Sequence, residues 1–371
     1  MYEKAIYISR VLNSRAEDLD IPESQYLEAK KRYEAVGDWL GKEGTVLSRY
    51  IPEIYPQGSF CLGTVVKPIK RDEYDIDLVC FLSELQKKDT TQAGLKQMVG
   101  DRLKEADRYK KLLDKEGRRC WTLEYADGFH MDILPSIADD ELRARDVLHK
   151  DAILITDKKK IENDDVNWPK SNPKGYITWF FDKQTNIFQT FKKELAESIE
   201  ENVEDVPDYK VRTPLQRAIQ ILKRHRDVLF LNKNKENKPI SIIITTLSAN
   251  LYSGQDNVFN AIYDILSNLN EEMLIRENRY CIPNPANLDE NFADKWNENP
   301  ELSKTFFNWV NNAKNVFCDN VLQQKNEMEM DKVLNESLGF SIEKIAPQEI
   351  KSTPVYIKTN NSRNTKPWQD K

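Results

Sequence analysis

Residues 55–81 read YPQGSFCLGTVVKPIKRDEYDIDLVCF, and the decisive part is the DIDLV near the end. In an extended strand successive side chains alternate between faces, so Asp75 and Asp77 project to one side while Ile76 and Leu78 point to the other. Val79, Cys80, Phe81 and Leu82 continue as an apolar run, which predicts a strand covered on both faces rather than a wet edge. On a wet edge the acidic pair would read as a turn cap and a lysine partner. Inside a covered strand, two neighbouring carboxylates raise each other's pKa unless a cation sits between them. Hard oxygen ligands favour Mg²⁺ or Mn²⁺. Upstream, Gly58-Ser59 alone would be only a turn, but ahead of such a strand it is a candidate phosphate loop. Glycine lets the backbone approach phosphate, and the residues that follow are expected to open a helix.

A third carboxylate lies downstream. Residues 120–137, CWTLEYADGFHMDILPSI, read as a hairpin with Asp127-Gly128 at the turn. Its second strand puts His130, Asp132 and Leu134 on one face and Phe129, Met131 and Ile133 on the other. Further on, TPLQRAIQILKRHRDVL (213–229) predicts a helix with Thr213 as N-cap, Pro214 at the first helical position, and an apolar stripe of Leu215, Ile219, Leu222 and Leu229. Lys223 falls on the flank of that stripe, where spacing alone has a lysine snorkelling into solvent.

The order Gly-Ser, Asp-Ile-Asp, then a later strand aspartate resembles the DNA polymerase β-like nucleotidyltransferase superfamily. With HMDILPS, LQRAIQILKRHRDV, KPISIIITTL and NPANLDENFADKW in the same order, residues 24–315 are similar to the bacterial cyclic-oligonucleotide synthases related to cyclic GMP-AMP synthase and oligoadenylate synthetase, the CD-NTases. The resemblance implies an α+β fold: a polymerase β-like core with a mixed sheet, plus a helical C-terminal lobe. It also implies two Mg²⁺ (or Mn²⁺) ions per active site, both bound by Asp75 and Asp77. Asp132 would bind the ion that activates the acceptor hydroxyl and help to take its proton. Gly58 and Ser59 would hold the triphosphate, Gln57 would add an amide donor, and Lys223 and Ser241 would reach the phosphates. Arg224 points about 100° further round the helix. The implied reaction joins nucleoside triphosphates, ATP first among them, into a cyclic di- or trinucleotide with release of pyrophosphate. The product would be a second messenger in antiviral (anti-phage) defence, acting on a separate effector, with regulatory proteins as further partners. Two alternatives use the same residues: a template-independent tRNA or poly(A) nucleotidyltransferase, and a catalytically inactive nucleotide-binding scaffold.

With 371 residues and 39% hydrophobic content, the chain can bury one large core or two lobes. A net charge of −6 argues against a protein that grips a long nucleic acid over its whole surface. Lys67, Lys70 and Arg71, ahead of Asp75, read as a solvated loop. The five cysteines form no Cys-x-x-Cys pair and the three histidines are far apart, so a zinc ribbon, a disulfide framework and a zinc insertion are not expected. No apolar run approaches a membrane span, and the opening MYEKAIYISR lacks a secretion signal, so a cytoplasmic protein without membrane contact is expected.

The expected division is 1–165 for a long N-terminal helix and the catalytic core, 166–340 for a helical lobe, and 341–371 for a polar, mobile tail. Tyr26, Ala29, Tyr33, Val36 and Leu40 are spaced for the buried face of the N-terminal helix, which in the family runs along the back of both lobes. Residues 157–175 read as a connector, and Asn284-Pro285 as the lead into a helix carrying Phe292 and Trp296. The terminal Trp368-Gln369-Asp370-Lys371 lacks the small last residue that a partner enzyme conjugates in several relatives.

Overall fold

A mixed sheet and a helical layer share the chain, and each element can be traced to its residues. The computed structural model describes residues 2–69, 74–126, 128–233 and 235–340. Lys70, Arg71, Asp127 and the expected tail from 341 lie outside these residues.

Strand β1 (Pro52–Gln57) pairs antiparallel with β2 (Tyr74–Leu82). The latter lies parallel to β4 (Phe129–Ala138), which also pairs antiparallel with β3 (Trp121–Tyr125) and with β5 (Ile153–Ile155). A short β6 (Lys170–Ser171) closes the far edge, inside the stretch expected to be a connector. The expected alternation holds: Ile76, Leu78, Phe129, Met131 and Ile133 all join one core on the back of the sheet. Ile76 and Leu78 have almost no exposed surface, worth about 1.5–3 kcal/mol each. The helix Glu23–Gly41 covers this back face with Ala29, Val36 and Leu40, and Tyr26 and Tyr33 pack partly buried beside them.

Across the front face, Val79, Phe81, Leu134, Ile153 and Ile155 form a smaller apolar cluster. The strand carrying Asp75 and Asp77 is therefore apolar on both faces beyond the aspartates.

The expected single N-terminal helix is two helices, Tyr2–Asp18 and Glu23–Gly41. Pro22 caps the second helix with an extended backbone, and a proline disfavours helical geometry in the residue before it. The break sends the halves to different places. Ile8, Leu12 and Ala16 of the first helix pack into the large helical core built by helices 214–229, 241–251, 258–268, 300–314 and 327–338.

The expected helix after Pro285 is also absent. Pro283–Asn284 and Asn287–Asn291 pair as two short strands, and a 3-10 turn follows at Asp294–Trp296. Asparagine side chains take the backbone bonds that a helix would have used. Asn291 accepts from the amides of Ile282 and Ala293, and Asn297 accepts from the amide of Tyr280 and donates to its carbonyl.

Candidate active site

The register of the sheet assembles the carboxylates. Asp77 lies directly opposite Asp132 on the parallel neighbour, and Asp75 lies opposite His130. Adjacent strands are about 4.8 Å apart, so Asp77 and Asp132 share one face at close range. Asp77 and Asp132 are half-buried, whereas Asp75 is exposed. Burial, followed by the charges of Asp132 and Asp75, pushes the Asp77 carboxyl up to about 7, and Lys223 opposes the shift.

Gly58 begins immediately beside this pair. Gln57 ends β1 opposite Asp77, and Gly58 opens the short helix Gly58–Cys61 at φ +66. A Cβ on Gly58 would stand 2.3 Å from Asp77 Oδ2, so only glycine lets the loop backbone lie against that carboxylate. The amide of Thr64 donates to the Ser59 carbonyl at 3.0 Å, which folds the loop back on itself.

The helix Pro214–Leu229 holds the far side of the loop. Thr213 and Gln216 form the full capping box at its start. Its side chains Gln216, Gln220, Lys223 and Arg224 then fall on one face and are all buried. Each donates to a different carbonyl of the loop after Gly58-Ser59: Gln216 to Leu62, Gln220 to Val65, Lys223 to Thr64 at 3.1 Å, and Arg224 to Lys67. This buried polar stripe was absent from the sequence reading, in which those positions look like an ordinary wet helix face.

Lys223 therefore does not snorkel; it is 5% exposed. Burial first, and then Arg226, pushes its ammonium down to about 7, while Asp227 and Asp77 pull the other way. Ser241 starts the helix Ser241–Leu251, and its hydroxyl accepts from Arg226 at 2.9 Å. Lys67 is exposed, as a solvated loop residue should be.

The hairpin differs from expectation in one consequential way. A two-residue turn at Asp127-Gly128 would set Leu123 opposite Asp132. Instead Tyr125 pairs with Phe129, with Gly128 at φ +77, and the register places Thr122 opposite Asp132. The Thr122 hydroxyl donates to Asp132 Oδ1 at 2.5 Å.

Among the described residues, no three His, Cys, Asp or Glu side chains stand close enough to enclose a metal ion by themselves. The donor set still suits Mg²⁺, which is usually held by one or two carboxylates together with substrate phosphates rather than by an all-protein cage. Two hard carboxylates in register, one of them driven toward protonation by burial and then by its acidic neighbours, provide such a partial set.

The mixed sheet with its helices is the fold of a nucleotidyltransferase. Residues 52–135 match the family described as Cyclic GMP-AMP synthase DncV-like, nucleotidyltransferase domain. Over 352 residues the chain is 31% identical to a c-di-GMP synthase of Roseivirga ehrenbergii, covering 94% of this chain and 89% of that protein. It is 26% identical to the cyclic dinucleotide synthase CdnG of Bradyrhizobium diazoefficiens, over 81% of this chain and 72% of that one. The structure of the same organism's CD-NTase CdnG in complex with GTP superposes with a TM-score of 0.67 at 21% identity, covering 90% of this chain and 98% of that one. Escherichia coli CdnC, solved as a complex with HORMA, superposes at 0.59 and 13% identity, covering 89% and 96%. The chain belongs to the CD-NTase family of nucleotidyltransferases. No helix among the described residues is long and apolar enough to cross a membrane.

Proposed function

We propose that this enzyme joins two nucleoside triphosphates, GTP among them, into a cyclic dinucleotide. The observation that carries the reading is Asp77 and Asp132 in register, with the Gly58 backbone pressed against Asp77. Both curated relatives are named as cyclic dinucleotide synthases, one of them for c-di-GMP, which favours a two-membered ring and puts GTP ahead of the ATP expected from sequence.

In each of two steps a ribose hydroxyl oxygen bonds to an α-phosphorus. The bond from that phosphorus to the bridging oxygen breaks, pyrophosphate leaves with the electron pair, and the hydroxyl proton passes to a base. Two triphosphates thus give one ring and two pyrophosphates. Two divalent ions, Mg²⁺ or Mn²⁺, would supply charge neutralisation at the attacking and leaving oxygens. Asp75 and Asp77 would hold both ions, and Asp132 would hold one and receive the proton. Gly58, Ser59 and Gln57 line the triphosphate side. Lys223 meets the phosphates by exchanging the Thr64 carbonyl for a phosphate oxygen, and Ser241, whose hydroxyl accepts from Arg226, reaches the same phosphates.

The product would act in the cytoplasm as a second messenger of anti-phage defence, read by a separate effector. A regulatory protein partner fits the same reading, as E. coli CdnC has been solved with HORMA. The test is incubation of purified protein with GTP, ATP, CTP and UTP and Mg²⁺ or Mn²⁺. A phosphatase-resistant cyclic dinucleotide is expected, and Asp77→Asn and Asp132→Asn should abolish it. Lengthening of labelled RNA instead would favour the RNA-end polymerase, and no product from either would leave the inactive scaffold.

A further inference from the structure

Asp132, like Asp77, is flanked by strands on both sides. Asp77 lies opposite it on β2, and Thr122 lies opposite it on β3. The Thr122 hydroxyl donates to Asp132 Oδ1, and Cys120, two residues earlier on the same face, brings its thiol to the same carboxylate. The thiol lies 4.0 Å from the Thr122 hydroxyl. Burial, reinforced by the Asp132 charge, pushes the Cys120 thiol up to about 12, so it stays protonated and remains a donor rather than a nucleophile.

We propose that Thr122 is a positioning residue for the nucleotidyl-transfer reaction: its hydroxyl fixes the Asp132 carboxylate in the orientation in which it would hold a divalent ion and take the acceptor proton. This inference rests on the cyclic dinucleotide synthase reading. A carboxylate on a strand can rotate about its Cβ–Cγ bond, and the neighbouring Asp77 charge repels it. A hydroxyl donating from the opposite strand fixes the plane of the group. Outer partners of metal-binding carboxylates commonly change metal affinity or rate by about 10–100-fold when they are removed. Thr122 has the chemistry of such a partner and occupies a register position that no functional motif marks.

The test compares Thr122→Val, which removes the hydroxyl at nearly constant volume, with Thr122→Ser, which keeps it. Mn²⁺ binding is measured by electron paramagnetic resonance in the presence of a non-hydrolysable GTP analogue, and product formation is measured separately as kcat and KM for GTP. For Thr122→Val we expect Mn²⁺ affinity and kcat each to fall about 10–100-fold, with KM within about threefold of wild type. Thr122→Ser should recover both to within about threefold, which a packing role of the β-branched side chain would not allow. Wild-type Mn²⁺ affinity and rate in Thr122→Val would overturn the inference, as would a Thr122→Ser protein as damaged as Thr122→Val. Wild-type protein that neither binds Mn²⁺ nor makes product would overturn the functional reading instead, so the two failures are told apart.

Discussion

Replacing Gly58 by alanine should nearly abolish product formation while leaving the protein folded. The new Cβ would lie 2.3 Å from Asp77 Oδ2, whereas contacts under 3.0 Å essentially never occur and ordinary contact begins at 3.4 Å. The carboxylate must therefore recede by 0.7 Å to reach the floor (3.0 − 2.3) and by 1.1 Å for comfort (3.4 − 2.3). A misplacement of about 1 Å at a reacting site is enough to lower a rate about 100-fold. Holding a non-glycine residue at φ +66 adds a separate penalty of about 1–2 kcal/mol, lowering the melting temperature by a few degrees at most. Gly44 separates the two effects, because it sits at φ +78 with nothing within 4 Å of its would-be Cβ. Gly44→Ala should share the small melting shift and keep wild-type activity. The assay is conversion of GTP with Mg²⁺, followed by chromatography of the phosphatase-treated product, alongside thermal melts of all three proteins. Equal activity in Gly58→Ala and Gly44→Ala would refute the argument that Gly58 is small for the sake of Asp77.

Three further outcomes are expected. Lys223→Met, which fills the same buried space without an ammionium charge, should raise KM for GTP about tenfold and leave the melting temperature at or above wild type, since an ammonium pushed down to about 7 is poorly solvated there; steady-state kinetics with a wild-type KM would contradict it. Thr213→Ala removes the capping box of the helix Pro214–Leu229 and should destabilise the protein by about 1–2 kcal/mol in urea unfolding, without a change of active-site chemistry. His225 is buried between Trp309 and Asn312, and burial pushes its imidazole from 6.5 down to about 4. Because the folded pKa is the lower one, the unfolded chain binds the proton first. The stability tied to neutral His225 is complete above about 6.5 and is lost as the pH falls toward 4, about 2 kcal/mol between pH 7 and pH 5. In His225→Gln, which offers one acceptor and one donor in place of the ring nitrogens but no titrating group, the loss over that interval should be smaller by that amount; an identical loss in equilibrium unfolding would show that His225 does not contribute.

Local chemistry alone accounts for a good part of the site. Two-residue alternation is a property of any strand, so the shared face of Asp75 and Asp77 and the back-face burial of Ile76 and Leu78 follow from DIDLV without knowledge of the neighbours. The Thr213 cap, whose hydroxyl accepts from the Gln216 amide three residues on, is likewise a local bond. Pro22 also carried its signal openly, and the break between the first two helices is what that proline should produce.

What needed the folded chain is every relation between distant segments. Strand alternation says which way Asp132 points, but only the register of β2 on β4 sets it opposite Asp77, and only the turn geometry of the hairpin exchanges Leu123 for Thr122 as its neighbour. The polar stripe Gln216, Gln220, Lys223 and Arg224 has the period of a solvated helix face; docking against residues 62–67 turns it into a set of buried donors for that loop's carbonyls. Helical and strand periods are dictated by bonds within a few residues, whereas partner choice across the chain is dictated by which surfaces can be buried with their hydrogen bonds satisfied, a condition that no single segment contains.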